Sequence, residues 1–221
     1  MWATLGGSRR GGSHLECEDS WAVSTAPGGR HILVVADGCG SASHGGAGAR
    51  LVTEAVLNAA ELSDASMSLL EVVAACFRAA SIAVGTDSSL ASTCSVVVIE
   101  DDRVAGAAIG DSPIGVRING HWVVWMQQSA SEFVNETVFV TSYGALPEFW
   151  ESAVSVDAVV LGSDGVIPFA FQNHVWHSRF CDPLVSRVLN SDLDMNEFLG
   201  FVETHHGVLG DDVTLIIGAH L

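Results

Sequence analysis

The stretch Ile114-Gly-Val-Arg-Ile-Asn-Gly-His-Trp-Val-Val-Trp-Met126 holds two apolar runs, Ile114–Ile118 and His121–Met126, around Asn119-Gly120. Asn-Gly between strand-like runs is a strong hairpin signal, because a type I′ turn needs φ > 0 at both central positions. The flanking strands are therefore expected to pair antiparallel. Upstream, Trp21–Thr25 and His31–Ala36 form a similar pair around Pro27-Gly28-Gly29. Thr93–Ile99, Arg103–Ile109, Thr137–Thr141, Val159–Gly162 and Val213–Gly218 read as further strands. From about Gly48 the period turns helical, with Leu51, Val52, Ala55, Val56, Ala59 and Leu62 on one face. A second helix is expected from near Ser68, where Glu71 completes a capping box, burying Leu70, Val73, Phe77, Ala80 and Val84. Pro183–Leu189 and Asn196–Glu203 read as helices, and residues 6–13 as a flexible leading loop. Strands and helices do not alternate, which excludes a doubly wound fold. Hairpin-linked sheet plus paired helices predicts a layered α+β domain, and no repeat, charge block or linker divides residues 1–221.

Charge and composition narrow the function. Charged residues make up 16% of the chain, below the usual quarter, and apolar residues 48%, as in a globular domain. Twenty-six acids against nine bases give a net charge of −17. Such a surface opposes binding to a nucleic-acid backbone or an anionic membrane. Every base is arginine, so chemistry that needs a lysine, such as a P-loop or a Schiff base, is excluded. Cys17, Cys39, Cys76, Cys94 and Cys181 are odd in number and form no C-x-x-C pair. That pattern is neither a disulfide framework nor a zinc knuckle and predicts a reducing compartment. With no signal-like or membrane-length apolar run, the expected location is cytoplasmic.

Four apolar runs end on or abut acidic-glycine pairs: Asp37-Gly38, Gly110-Asp111, Ser163-Asp164-Gly165 and Gly210-Asp211-Asp212. Glu18-Asp19 precedes another strand. A rigid sheet aims a carboxylate at a strand end, and an adjacent glycine lets a ligand approach the backbone. If these termini converge, each pair of unit charges about 4 Å apart costs on the order of 4 kcal/mol at an effective dielectric near 20. Divalent cations would relieve that repulsion. Oxygen ligands without matching His/Cys spacing suit Mg²⁺ or Mn²⁺ rather than Zn²⁺. Taken singly, any one of these motifs reads more readily as a strand-end turn, and the reading as a site rests on their number. Asp212 faces away from Asp211 by strand alternation. His205-His206 read as a surface pair, and His174 and His177 lack a third ligand for zinc.

The ordered blocks HLECEDSW (14–21), ILVVADGCGSASHGGAGARLV (32–52), ASTCSVVVI (91–99), AAIGDSPIGVRING (107–120), VVLGSDGVI (159–167) and GDDVTLII (210–217) resemble the metal-dependent type 2C serine/threonine phosphatases. FVNETVFVTS (133–142) resembles the compact bacterial branch of that family. The resemblance implies a four-layer α-β-β-α sandwich, two antiparallel sheets flanked by helix pairs, with two Mn²⁺ or Mg²⁺ ions at one end. By position it implies that Asp37 bridges the ions and the Gly38 carbonyl completes one shell. Asp164 and Asp211 would serve one ion and Asp19, with Glu18 through water, the other; Asp111 would help hold a third, weaker one. Two departures stand out. Cys39 replaces the histidine that many members carry after Asp-Gly, leaving His44 or water as the proton donor. His14 stands in place of an arginine that larger members use to grip phosphate, with Arg9 and Arg10 nearby.

The implied reaction is hydrolysis of phosphoserine or phosphothreonine in proteins, the products of a serine/threonine kinase, by a hydroxide that the binuclear site activates. Asp37, Asp19 and His14 are the expected catalytic residues. A pseudophosphatase that binds a phosphorylated partner without turnover is the alternative. An aspartyl-phosphate phosphohydrolase would need a D-x-D nucleophile after the first strand and a lysine, and neither is present.

Overall fold

Alternation along the central strands decides the layering of the chain. The computed structural model describes residues 1–125, 137–172, 175–206 and 209–221. In chain order the elements are β1 (Trp2–Arg9), β2 (Ser20–Ala26), β3 (Arg30–Ala36), α1 (Gly45–Glu61), α2 (Leu69–Val84), β4 (Cys94–Glu100), β5 (Arg103–Ile109), β6 (Ile114–Ile118) and β7 (His121–Trp125). They continue with β8 (Glu148–Glu151), β9 (Ala158–Gly162), α3 (Ile167–Ala170), β10 (Phe171–Gln172), β11 (Val175–Trp176), α4 (Ser178–Leu189), α5 (Met195–His206) and β12 (Val213–His220). One five-stranded sheet runs β1-β12-β9-β6-β7 and the other β2-β3-β4-β5-β8, with β10-β11 a small separate hairpin. The pairs in both large sheets are antiparallel.

In β3, Ile32, Val34 and Ala36 pack with Val52 and Val56 of α1 and Val73 and Phe77 of α2. Their neighbours Leu33 and Val35 point the other way, onto Ile114, Val159 and Ile216 of the opposite sheet. In β12, Leu215 and Ile217 pack under Leu184 and Val185 of α4 and Leu199 of α5. The result is the expected α+β, four-layer α-β-β-α sandwich, with three stacked apolar cores. Each fully buried Val, Leu or Ile contributes about 1.5–3 kcal/mol relative to exposure, so neither helix pair could leave its sheet without large cost.

Local signals set many boundaries. Asn119 and Gly120 adopt φ of 51° and 76°, closing the β6-β7 hairpin with Ile118 opposite His121. Ser68 caps α2, with the Ser68 and Glu71 side chains bonding reciprocally to backbone N–H groups. Several expectations need correcting. Residues 6–9 of the supposed flexible loop belong to β1, paired with β12. Gly6 and Gly7 are there for fit: a Cβ on Gly6 would lie 2.6 Å from the Trp21 ring, and one on Gly7 would lie 2.6 Å from Met195 Cγ on the opposite side. Thr137–Thr141 is not a strand; the Val140 N–H donates to the Ser92 carbonyl as the chain turns. On the side away from β4, β5 pairs with β8, a short edge strand without alternation strong enough to signal it. Residues 133–136 of the FVNETVFVTS block, Met126 and His174 lie outside the described residues.

The buried face of α1 is also rotated from expectation. Ala49, Val52, Thr53, Val56 and Ala60 are buried, while Leu51 and Leu62 are 38% and 87% exposed. Small residues face inward because the helix lies close to backbone: a Cβ on Gly48 would sit 2.1 Å from the Leu90 carbonyl oxygen. Helix α4 starts at Ser178, five residues before Pro183, which sits inside it.

Candidate metal centre

Strand register brings the acidic termini to one end of the sandwich. Ser20 opposes Ala36, so Asp19 and Asp37 leave β2 and β3 side by side. Cys94 opposes Ile109, which sets Thr93 beside Gly110-Asp111. In the other sheet Leu215 opposes Gly162, placing Asp164 near Asp211. A cavity of about 190 Å³ opens there, lined by Asp37, Asp111, Asp164 and Asp211 together with His14, Gly38, Cys39, Gly40, Thr93, Thr137 and Phe139. Both sheets therefore contribute carboxylates to one space.

Hydrogen bonds hold these side chains. The Asp37 N–H donates to Thr93 Oγ1 at 3.0 Å, and Thr93 Oγ1 also pairs with Ser112 Oγ at 2.8 Å. The Asp164 N–H reaches Asp37 Oδ2 at 3.4 Å. Thr137 Oγ1 donates to Asp111 Oδ2 at 2.8 Å. Gly38 is wedged between the Gly45 and Glu18 backbones, where a Cβ would come within 2.6 Å of the Glu18 carbonyl oxygen, so only glycine fits. Glu18 itself stands at the rim, its carboxylate next to Gly40. Asp19 lies buried behind the lining, and its Oδ2 has no hydrogen-bond partner.

The metal-free cluster is electrostatically strained. Burial, and then the charges of Asp19, Asp164 and Asp111, push the Asp37 carboxyl well above the usual carboxylate range. Burial raises Asp19 to about 7, against the pull of hydrogen bonds from Ser163 and Thr214. Asp164 is raised too, chiefly by burial, although its hydrogen bond with Asp37 opposes the shift. Among the described residues no arginine lines the cavity to neutralise the cluster. Among the described residues no three Asp, Glu, His or Cys side chains stand in ready-made ligand geometry. Hard cations such as Mg²⁺ keep several waters and need few protein ligands, so an open ring of oxygens still suits them. An all-oxygen acidic donor set, an unpartnered buried carboxylate oxygen and mutual repulsion together fit divalent cations rather than a guanidinium.

Residues 7–200 match the family model described as Protein phosphatase 2C. The chain belongs to that family. No individually curated protein matches its sequence. Among solved structures, the chain resembles the serine/threonine phosphatase of S. agalactiae (TM-score 0.75, 16% identity, 100% of each chain covered). It also resembles serine/threonine phosphatase Stp1 from Staphylococcus aureus (TM-score 0.72, 16% identity, 100% of this chain and 96% of that one). A third is the catalytic domain of the serine/threonine phosphatase PstP in complex with two manganese ions (TM-score 0.70, 18% identity, 99% of each chain). At such identities the likeness is one of fold, and it extends end to end.

Within this type 2C frame, most of the sequence-derived site residues gather and a few do not. Asp37, Gly38, Asp111, Asp164, Asp211 and His14 line the cavity; Asp19 and Glu18 flank it. Arg9 is held away by Glu203, and Arg10 donates to the His14 carbonyl, so neither reaches the cavity. His44 lies outside the lining, its Nδ1 3.0 Å from Ser43 Oγ. His205 stacks on Phe201 at the surface. Sequence reasoning missed Thr93, which orders the Asp37 backbone, and the buried pair Ser163 and Thr214 behind Asp19. Hydroxyls at strand ends carry no distinctive spacing, so nothing in the sequence marked them.

Proposed function

We propose that this type 2C phosphatase hydrolyses phosphoserine and phosphothreonine in proteins at the acidic cavity, using Mn²⁺ or Mg²⁺. The observation that carries the reading is convergence: strand-end aspartates from both sheets line one cavity while Asp19 stands behind them with an unpartnered oxygen. Asp37, the Gly38 carbonyl, Asp164, Asp211, Asp19 and, through water, Glu18 would hold two ions, and Asp111 would help hold a third. Bound there, such ions would supply a nucleophilic hydroxide and neutralise charge on the phosphoryl group. The protein's own share is positioning. Thr93 fixes the Asp37 backbone, and Thr137 orients Asp111. His14 faces the cavity from its rim and would donate from Nε2 to a phosphoryl oxygen. Its imidazolium form is favoured, first by the hydrogen bond with Asp212 and then, against burial, by the charges of Asp212, Asp211 and Glu18.

The substrate would be the phosphorylated product of a serine/threonine kinase, met in the cytoplasm; a strongly negative protein favours basic phosphopeptides at long range. PstP, of the same fold, is seen with two manganese ions, which supports the choice of metal. Purified protein with Mn²⁺ should turn over a phosphopeptide, and Asp37→Ala should abolish that turnover. Cys39 in the lining, where many relatives place histidine, favours the second reading of a non-hydrolysing binder. Calorimetric titration separates the two: uptake of two ions with turnover supports the enzyme, and binding of phosphopeptide without turnover the adaptor.

A further inference from the structure

Asp212 lies just outside the cavity, yet it grips the loop that supplies the cavity's histidine. Its side chain is 2% exposed. Oδ1 accepts from the Gly11 N–H at 2.6 Å, and Oδ2 accepts from the Glu18 N–H at 2.6 Å. The third contact is to a side chain: His14 Nδ1 sits 2.9 Å from Oδ2. Both carboxylate oxygens already act as acceptors toward backbone N–H groups, so the proton between Oδ2 and the ring belongs on Nδ1. The other ring nitrogen then faces the site. His14 Nε2 is 3.8 Å from Asp211 Oδ1, and a Cβ on Gly40, in the lining, would lie 3.6 Å from it. His14 is the lone imidazole among the described lining residues.

We propose that Asp212 is a positioning residue for the phosphatase reaction, holding Nδ1 of His14 so that Nε2 is presented to the phosphoryl group. The inference rests on the reading of the cavity as a phosphatase site. The loop is pinned by other bonds as well: Ser13 Oγ donates to the Gly210 carbonyl, Arg10 to the His14 carbonyl, and the Gly12 N–H to the Leu209 carbonyl. The imidazole contact adds orientation to a loop already closed. Partners that fix the tautomer and ring orientation of a functional histidine are a recurrent device, and their loss typically costs about 10–100-fold in function.

Two measurements test this. In the metal-free wild type, ¹⁵N NMR of the neutral His14 ring should show the proton on Nδ1. Asp212→Ala removes the acceptor and should let the proton pass from Nδ1 to Nε2. A wild-type ring protonated on Nε2, or ring signals unchanged in Asp212→Ala, would overturn the proposal. The wild-type spectrum alone decides if the variant does not fold. With Mn²⁺ and phosphopeptide, His14→Ala and Asp212→Ala should each lower kcat/KM by about 10–100-fold. The double variant should be no slower than His14→Ala. If Asp212→Ala costs the same factor in the His14→Ala background, it acts on the loop alone and the proposal fails. Should the wild type show no turnover, the phosphatase reading fails, while the ring-nitrogen signals still decide the role of Asp212.

Discussion

Thr93 shows how much of the site depends on single hydroxyls. Its Oγ1 serves both the Asp37 N–H and Ser112 Oγ, and its own N–H donates to the Asp37 carbonyl at 2.9 Å. Thr93→Val keeps the shape and removes the acceptor, leaving a buried N–H and a buried hydroxyl unpaired. Urea unfolding should show a loss of about 1–3 kcal/mol. Manganese affinity should fall as well, because Asp37 loses its fixed backbone. Asp212 teaches a related lesson. Strand alternation rightly turned it away from Asp211, yet its backward-facing carboxylate found three partners nearly the length of the chain away, with Glu18 separated from it by 194 residues. No sequence motif marks such a role.

Among the elements, β1 is the one most misleading in sequence. Two glycines beside two arginines read as a loop, but Gly6 meets the Trp21 indole of the other sheet and Gly7 meets Met195 of α5. The absent side chains let β1 sit close to both layers. Gly6→Ala should cost about 1–3 kcal/mol, since a rigid indole must move. Gly7→Ala should cost clearly less, because the Met195 side chain can adopt another rotamer. Equal thermal shifts for the two variants would refute that account. By contrast, α2 was readable from both ends of its first turn: Ser68 and Glu71 cap it reciprocally, and Val73, Phe77, Ala80 and Val84 follow at helical spacing on its buried face.

For the molecule as a whole, the acidic cluster sets a pH dependence with an unusual sign. In the metal-free fold Asp19 is raised to about 7 and Asp37 and Asp164 are also raised, mainly by burial. Unfolded, each carboxyl titrates near about 3.9. Between those values the folded state binds more protons than the unfolded one, so this contribution is complete below about pH 4 and is lost as pH rises through about 7. The loss is on the order of a few kcal/mol. Metal-free protein should therefore melt at lower temperature at pH 7.5 than at pH 5. Asp19→Asn should flatten that slope, and excess Mn²⁺ at pH 7.5 should raise the melting temperature by binding the folded state alone. A wild type whose metal-free stability rises over that range would contradict the strained cluster.

The order of amino acids determined by itself where strands turn, where α2 begins and which carboxylates stand at strand ends. Those features are encoded by short-range chemistry: φ > 0 at Asn-Gly, a reciprocal serine–glutamate cap, and period-two alternation. The edge strand β8, the glycine-packed β1, the inward face of α1, and the grip of Asp212 on His14 were decided only by the tertiary structure. Each depends on which distant surfaces come within a few ångströms, and contacts between segments far apart in the chain leave no periodic trace in either one.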